Sequence, residues 1–226
     1  MARIKKPHQQ YYNSQGILLP GVTTVLKELD QGKSANLINW AWKLGKDGID
    51  YKTVRDNLAG VGTLAHQIIT DKIQGKVTDM SDWTPADIDL AENCCLSFWE
   101  WEKQNKPEYI FCERQMCSEQ YQFGGTCDIY CKINGVFTLI DLKTGKAIYS
   151  GMSTQLSAYK ELIEESDNPV EDCRIIRIGR DENEGFEDKP YFDLSDDFTI
   201  FRCALAVYNI RNRNGLMVDE LMEEIK

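Results

Sequence analysis

Two strand-like segments, residues 124–133 and 136–142, are joined by the dipeptide Asn134-Gly135. A two-residue hairpin turn of this kind needs positive φ at both positions, and asparagine and glycine adopt such angles at low cost. The sequence therefore predicts a tight antiparallel hairpin, and the turn fixes how its two strands pair.

Helical and strand patterns follow each other on both sides of this hairpin. Apolar residues at helical spacing predict one helix over 61–74, ended by Gly75, and another over 84–105 with Pro85 at its first position. The other predicted elements are a hairpin at 8–20, a helix from Ser34 to Gly45, strands at 109–117, 174–178 and 191–194, and helices at 155–164, 196–213 and 216–225.

The core order of helix, three strands, helix and strand predicts an α/β (α+β) fold. We expect a central mixed sheet of four to five strands flanked by helices, with a right-handed crossover from the third strand to the fourth. The 226 residues divide into an N-terminal hairpin and helical subdomain, 1–60, and a core with C-terminal helices, 61–226. The two parts are expected to form one compact unit.

Composition narrows the functional classes. The chain has 26 basic and 36 acidic residues, a net charge of −10, which argues against a protein that coats polyanions nonspecifically.

It has no apolar run of membrane-spanning length, and no apolar segment follows the basic N-terminus, so we expect a cytoplasmic protein without membrane contact. The eight cysteines form no Cys-x-x-Cys pair, which argues against a zinc ribbon and favours reduced thiols.

Asp128 lies in the first hairpin strand, and Asp141 and Lys143 lie in the second. Residues two apart on a strand project from the same face, so Asp141 and Lys143 share a face that otherwise carries Leu139. Burying both charges there is costly unless they are paired or used. Asp-x-Lys is also typical of a surface ion pair at the end of a strand, and both interpretations stay open at this point.

His66 lies on the apolar stripe of the predicted helix 61–74, together with Ile69 and Ile73. An inward histidine is usually a hydrogen-bonded structural residue. Together with two carboxylates, however, it can bind a hard cation such as Mg²⁺ or Mn²⁺. His66, Asp128 and Asp141 are therefore candidate metal ligands.

Two further pairs have both a structural and a nucleic-acid-binding interpretation. Gln155 and Tyr159 lie one helical turn apart, so both can face nucleic acid near the metal or form part of a buried helix face. Trp40 and Trp42 can stack on bases, but tryptophans at helical spacing favour the core.

Four motifs, in this order, resemble those of the PD-(D/E)xK nuclease superfamily. The resemblance is to the RecB-like branch, which includes the mitochondrial genome maintenance exonuclease and many phage exonucleases, and it covers roughly residues 60–165. The opening Tyr-x-x-x-Gly-x-x-Leu-Pro-Gly-Val-Thr-Thr-Val-Leu resembles the phage members. The motifs are Gly62-Thr63-x-x-His66, Gly125-Thr126-Cys127-Asp128, Ile140-Asp141-Leu142-Lys143-Thr144-Gly145 and Gln155-x-x-x-Tyr159.

This resemblance implies a restriction-endonuclease-like core and a role for each matched residue. Lys143 would be the catalytic lysine. The metal ligands would be His66, Asp128, Asp141 and the carbonyl of Leu142. Gln155, Tyr159 and Thr144 would contact DNA, and Glu113 is the candidate for an acid that often precedes the first aspartate.

The chain departs from relatives in two respects. Many have an acid four residues after the histidine, where this chain has Thr70 followed by Asp71, and Thr-Cys-Asp replaces Pro-Asp in the first acidic motif. Some relatives hold an iron–sulfur cluster through closely spaced cysteines after the Gln-x-x-x-Tyr helix. Only the widely separated Cys173 and Cys203 follow that helix here, so we predict no cluster.

The leading hypothesis is a Mg²⁺- or Mn²⁺-dependent DNA exonuclease that hydrolyses phosphodiester bonds of single-stranded DNA or DNA ends. Its context would be phage-type recombination, replication or repair, with recombination or replication proteins as partners. A non-catalytic DNA-binding accessory module and a restriction-like endonuclease are the alternatives. The oligomeric state is left open.

Overall fold

The computed structural model describes the backbone of residues 9–32 and 34–224 and the side chains of 9–29 and 37–212. A five-stranded sheet lies at its centre, with the strands side by side in chain order. All neighbours are antiparallel except the third and fourth strands, which are parallel. The strands are β3 (Glu108–Ser118), β4 (Phe123–Ile133), β5 (Val136–Thr144), β6 (Asp172–Ile178) and β7 (Phe186–Tyr191), and a small separate hairpin is formed by β1 (Tyr11–Tyr12) and β2 (Leu18–Leu19).

Helices cover both faces of this sheet, which confirms the predicted mixed sheet flanked by helices. None of the described helices is both long and apolar enough to cross a membrane. The helices are α1 (Val22–Leu26), α2 (Ser34–Lys46), α3 (Tyr51–Ile73), α4 (Pro85–Asn105), α5 (Ser150–Glu165) and α6 (Ser195–Glu224), with a 3₁₀ helix at Lys27–Gly32.

The predicted hairpin forms between β4 and β5. Asn134 and Gly135 have φ angles of 52° and 84°, as a two-residue turn requires, and Ile133 pairs with Val136 directly beside it. Helix α5 connects β5 to β6 and packs on the sheet. Because the chain crosses over through this helix, β5 and β6 pair in parallel. Local turn chemistry thus sets the β4–β5 register that the candidate site depends on.

Two hydrophobic cores hold the layers together. The α5 core lies between the sheet and α1, α5 and α6, and the α3 core lies between the opposite face and α3 and α4. Burying each large apolar side chain contributes about 1.5–3 kcal/mol, so each core stabilises its helices far more than helix propensity does. Representative fully buried side chains are Tyr130, Leu139, Leu156 and Phe201 in the α5 core and Leu64, Ile69, Phe98 and Ile140 in the α3 core.

Helix α3 begins ten residues before the predicted position. Asp50 caps it by accepting hydrogen bonds from the Lys52 backbone N–H (3.0 Å) and the Thr53 hydroxyl (3.1 Å). The helix therefore runs through residues 60 and 61, where we divided the chain; that division stays a prediction. Within α3, a Cβ at Gly62 would overlap the Thr144 hydroxyl, so this glycine lets the helix approach the end of β5 closely.

Three other predictions are wrong in detail. The last strand lies at Phe186–Tyr191 and not at 191–194, because pairing with β6 overrides the low strand propensity of this acidic segment. The two predicted C-terminal helices are one continuous helix, α6. Trp42 is 60% exposed and not a core residue. Residue 8 of the predicted hairpin and residue 225 of the predicted tail helix lie outside the described residues.

The N-terminal hairpin packs against the start of β4. The Tyr11 ring lies over Gly124, and the Gly124 backbone N–H donates to the Pro20 carbonyl at 2.9 Å. A Cβ at position 124 would overlap the Tyr11 side chain, so the absence of a side chain there is what allows the hairpin to dock.

We therefore expect Gly124→Ala to lower the free energy of unfolding by roughly 1–3 kcal/mol, the usual cost of overpacking. Thermal denaturation measures this effect. The control is Gly45→Ala in α2, where an added Cβ meets nothing within 4 Å and helix propensity favours alanine. Equal melting temperatures for the two variants would contradict close packing of Tyr11 on Gly124.

Candidate active site

Three carboxylates lie in one row across β3, β4 and β5. The register places Glu113 opposite Asp128, and Asp128 opposite Asp141 one step beyond the last β4–β5 pair. Opposite residues of antiparallel strands have neighbouring side chains, so the row concentrates negative charge at one level of the sheet. The flanking register pairs are Cys112–Ile129 and Arg114–Cys127 between β3 and β4, and Ile129–Ile140 between β4 and β5.

At this row, the regular alternation of side chains between the two faces of the sheet is interrupted. Side chains two apart on a strand normally share a face, yet Cys127 packs in the α5 core whereas Ile129 packs in the α3 core. On β3, Glu113 has a φ of 50°, a left-handed conformation that costs a non-glycine residue of order 1–3 kcal/mol. The carboxylates of Glu113 and Asp128 therefore lie at the boundary between the two helical layers.

His66 reaches the row from α3. Its Nδ1 lies 3.9 Å from Asp128 Oδ2, and the side chain is about one quarter exposed. His66, Glu113 and Asp128 each offer one ligand atom, and these three atoms lie within 4.8 Å of one another. Ligands about 2.1 Å from an octahedral Mg²⁺ lie roughly 3–4 Å apart, so these three donors fit a hard cation with only small side-chain movements.

Asp141 and Lys143 form a buried ion pair beside this cluster. Lys143 Nζ lies 2.5 Å from Asp141 Oδ2, as the shared strand face predicts. Asp141 is 1% exposed, and among the described residues its Oδ1 has no hydrogen-bond partner. A buried carboxylate oxygen without a donor is costly, and a bound cation would satisfy it.

Burial dominates the protonation of both aspartates. Desolvation raises the pKa of Asp141 to about 6, although the Lys143 charge opposes the shift. Desolvation also raises the pKa of Asp128, against the Lys143 charge and a 2.8 Å hydrogen bond that Asp128 Oδ2 accepts from the Leu142 backbone N–H. The pocket thus disfavours two negative charges without a cation, as expected of a metal centre.

Gln155 and Tyr159 approach the row from α5. Gln155 Nε2 donates to the Tyr159 hydroxyl at 2.7 Å, and Tyr159 is almost fully buried. Burial raises the pKa of Tyr159, and the nearby charges of Asp141 and Asp128 add to the shift. The structure therefore brings this pair close to the acidic row, and their contact with DNA stays a prediction.

A cavity of about 540 Å³ opens beside the cluster. Its wall is mainly one face of α3, which includes His66. The remaining wall is formed by Gln9, Gln74, Lys76, Glu113 and Thr144. The predicted substrate residue Thr144 therefore lies on the cavity, while the predicted role of the Leu142 carbonyl as a ligand stays untested. Sequence reasoning missed Gln9, and the only available signal was its spacing of two from Tyr11.

Solved structures of two exonucleases are similar to this fold. No family model matches the chain, and no curated protein does. A candidate exonuclease from Eubacterium rectale is similar in structure, with a TM-score of 0.48 and 13% identity over 67% of this chain and 65% of that protein, less than two thirds of its length. The alkaline exonuclease of Laribacter hongkongensis, in complex with dAMP, has a TM-score of 0.43 and 8% identity over 73% of this chain and 86% of that protein.

The cluster predicts that Mn²⁺ stabilises the protein. A ligand at 100 times its dissociation constant adds about 2.7 kcal/mol, so the melting temperature should rise by roughly 5–10 °C. Glu113→Gln and Asp128→Asn should lose most of this rise because each removes a charged ligand. Glu108→Gln, which neutralises an exposed acid on the same strand as Glu113, is the control and should keep the full rise. A full rise in Glu113→Gln would remove Glu113 from the metal site.

Proposed function

We propose that the protein is a divalent-metal-dependent deoxyribonuclease of the PD-(D/E)xK superfamily, in its RecB-like branch. One observation carries this proposal: the buried Asp141–Lys143 pair lies close to the ligand cluster of His66, Glu113 and Asp128, and two members of that cluster, His66 and Glu113, line an open cavity. Three of the four sequence motifs supply His66, Asp128, Asp141 and Lys143 in the order typical of that superfamily, and Glu113 precedes the first acidic motif. DNA is accordingly the proposed substrate and Mg²⁺ or Mn²⁺ the proposed cofactor, with no iron–sulfur cluster.

In this proposal, His66, Glu113, Asp128 and Asp141 hold the metal. When bound, the cation would neutralise charge on the phosphate and lower the pKa of a water molecule. Lys143 positions that water and offsets the negative charge that develops on the phosphate, and its ion pair with Asp141 keeps the ammonium oriented. The Leu142 backbone N–H orients Asp128 through their hydrogen bond.

Substrate contacts come from the two sides of the acidic row. Thr144 lies on the cavity wall at the end of β5, and Gln155 reaches the row from α5. Tyr159 is almost fully buried and accepts a 2.7 Å hydrogen bond from the Gln155 amide, so Tyr159 orients Gln155, and we propose that the two side chains contact DNA as a pair. These groups would fix the position of the strand relative to Lys143.

We further propose an exonuclease that acts on single-stranded DNA or DNA ends in phage-type recombination, replication or repair. The support is the resemblance of the four motifs and of the opening segment to phage exonucleases. Recombination or replication proteins are the proposed partners, and the cytoplasm, or the host cytoplasm for a phage protein, is the proposed location.

Lys143→Ala should reduce cleavage of labelled single-stranded DNA in Mn²⁺ by roughly 100-fold or more, because it removes the group that acts on the water and the phosphate. Gel analysis of initial rates measures the loss. Lys103→Ala, on an exposed position of α4, is the control and should cleave at the wild-type rate. Wild-type cleavage by the Lys143 variant would show that Lys143 is not the catalytic lysine.

An exonuclease needs an end, whereas a restriction-like endonuclease does not. Circular single-stranded DNA should therefore stay intact under conditions in which the same DNA, once linearised, is degraded to short products. Cleavage of the circle at a comparable rate would favour the endonuclease. Binding of both DNAs with cleavage of neither, in Mg²⁺ and in Mn²⁺, would favour the non-catalytic accessory module.

A further inference from the structure

The segment that leads into β1 presents two matched pairs of side chains. Residues two apart in an extended chain project to the same side, so Gln9 goes with Tyr11 and Gln10 goes with Tyr12. Each tyrosine hydroxyl donates to the glutamine of its own pair, at 3.3 Å for Gln9 and 2.9 Å for Gln10. Only one pair faces the candidate site: Gln9 lines the cavity, and Gln10 is not among its lining residues.

The Gln9 carbonyl is held by two hydroxyl groups. Thr126 Oγ1 donates to Gln9 Oε1 at 2.5 Å, and the Tyr11 hydroxyl donates to the same oxygen. Thr126 lies two residues before Asp128 on β4, and the Tyr11 and Thr126 hydroxyl oxygens are 3.1 Å apart. This network connects the N-terminal hairpin to the strand that carries the metal-ligand candidate.

The network engages only one end of the Gln9 amide. With its oxygen bound by two donors, the NH₂ group keeps two donor hydrogens, and among the described residues it makes no hydrogen bond. The other glutamines on the cavity differ, because Gln67 Nε2 donates to Asp71 at 2.8 Å and Gln74 Nε2 donates to Cys112 at 3.4 Å. Gln9 therefore offers an amide donor to a ligand in the cavity.

A phosphate oxygen is an acceptor that suits this donor. The cavity wall carries the acids Glu113 and Asp71 and one base, Lys76, so a phosphate held near the metal needs further neutral or basic donors. More than half of protein–DNA hydrogen bonds go to phosphate and sugar, and glutamine is among the usual donors.

We propose that Gln9 is a substrate-contacting residue that donates its amide hydrogen bonds to a phosphate oxygen of the bound strand. The Tyr11 and Thr126 hydroxyls act as positioning groups that orient the amide, and the N-terminal hairpin is thereby a wall of the active site. This inference rests on the proposed nuclease function, since it takes the DNA backbone as the ligand in the cavity.

Gln9→Glu tests the contact. The glutamate keeps an oxygen that accepts from Thr126 and Tyr11, but it replaces the NH₂ donor with a negative charge. We expect binding of a labelled single-stranded oligonucleotide to weaken by about tenfold or more, measured by fluorescence anisotropy in Mg²⁺ on a Lys143→Ala background, in which cleavage is strongly reduced. Gln10→Glu adds the same charge one residue away and should stay within twofold of the Lys143→Ala parent.

Two further measurements sharpen the test. Because phosphate carries no base identity, the weakening should be equal for oligothymidine and oligoadenine; a loss confined to one of them would overturn the phosphate assignment. Gln9→Ala, which also removes the amide donor, should weaken binding too. Gln9→Glu and Gln10→Glu should melt at the same temperature, so that weaker binding by Gln9→Glu reflects a lost contact and not a loss of folding.

The outcomes also distinguish this inference from the function it rests on. If wild-type protein neither binds nor cleaves DNA in Mg²⁺ or Mn²⁺, the proposed nuclease function itself is overturned. If the wild type cleaves and Gln9→Glu binds as tightly as Gln10→Glu, only the role of Gln9 is overturned.

Discussion

The buried ion pair of Asp141 and Lys143 is the constraint on which the candidate site depends. Burial raises the pKa of Asp141 although the Lys143 ammonium lies 2.5 Å away, and the nearby charge of Asp128 adds to the shift, so the ionised carboxylate is disfavoured at this position. A fold keeps such a carboxylate only if other interactions stabilise it. A cation shared with Asp128, His66 and Glu113 would offset much of this cost, which connects the chemistry of the site to the stability of the sheet.

The sheet that holds this charge is stabilised by a hydrophobic core on each face. The α3 core and the α5 core pack on opposite faces, and the row lies where β3 and β4 change face between them. On β3, Glu113 has a left-handed backbone conformation at this point, a local cost that the surrounding strands support. The close approach of Gly62 to Thr144 then brings His66 on α3 to the same level.

Those elements whose signals are local were predictable from the sequence. Asn134-Gly135 specified the hairpin through its φ requirement, and Thr84 and Pro85 specified the start of α4 because capping involves only neighbouring residues. Strand β7 was not predictable in the same way, since Phe186–Tyr191 becomes a strand by pairing with β6. Trp42 was placed in the core by its spacing, but no described layer covers that face of α2, and it lies exposed.

For the candidate site, the sequence alone determined that Asp141 and Lys143 share a face and that Asp128 lies beside them. Both follow from the two-residue period of a strand and a turn of known geometry. Only the tertiary structure decided that Glu113 joins His66 and Asp128, and that Gln9 reaches the same cavity. These residues come from separate elements. Their meeting depends on the register of β3 against β4, on the positive φ of Glu113 and on the docking of the N-terminal hairpin on Gly124. None of these features has a periodic signal in the sequence.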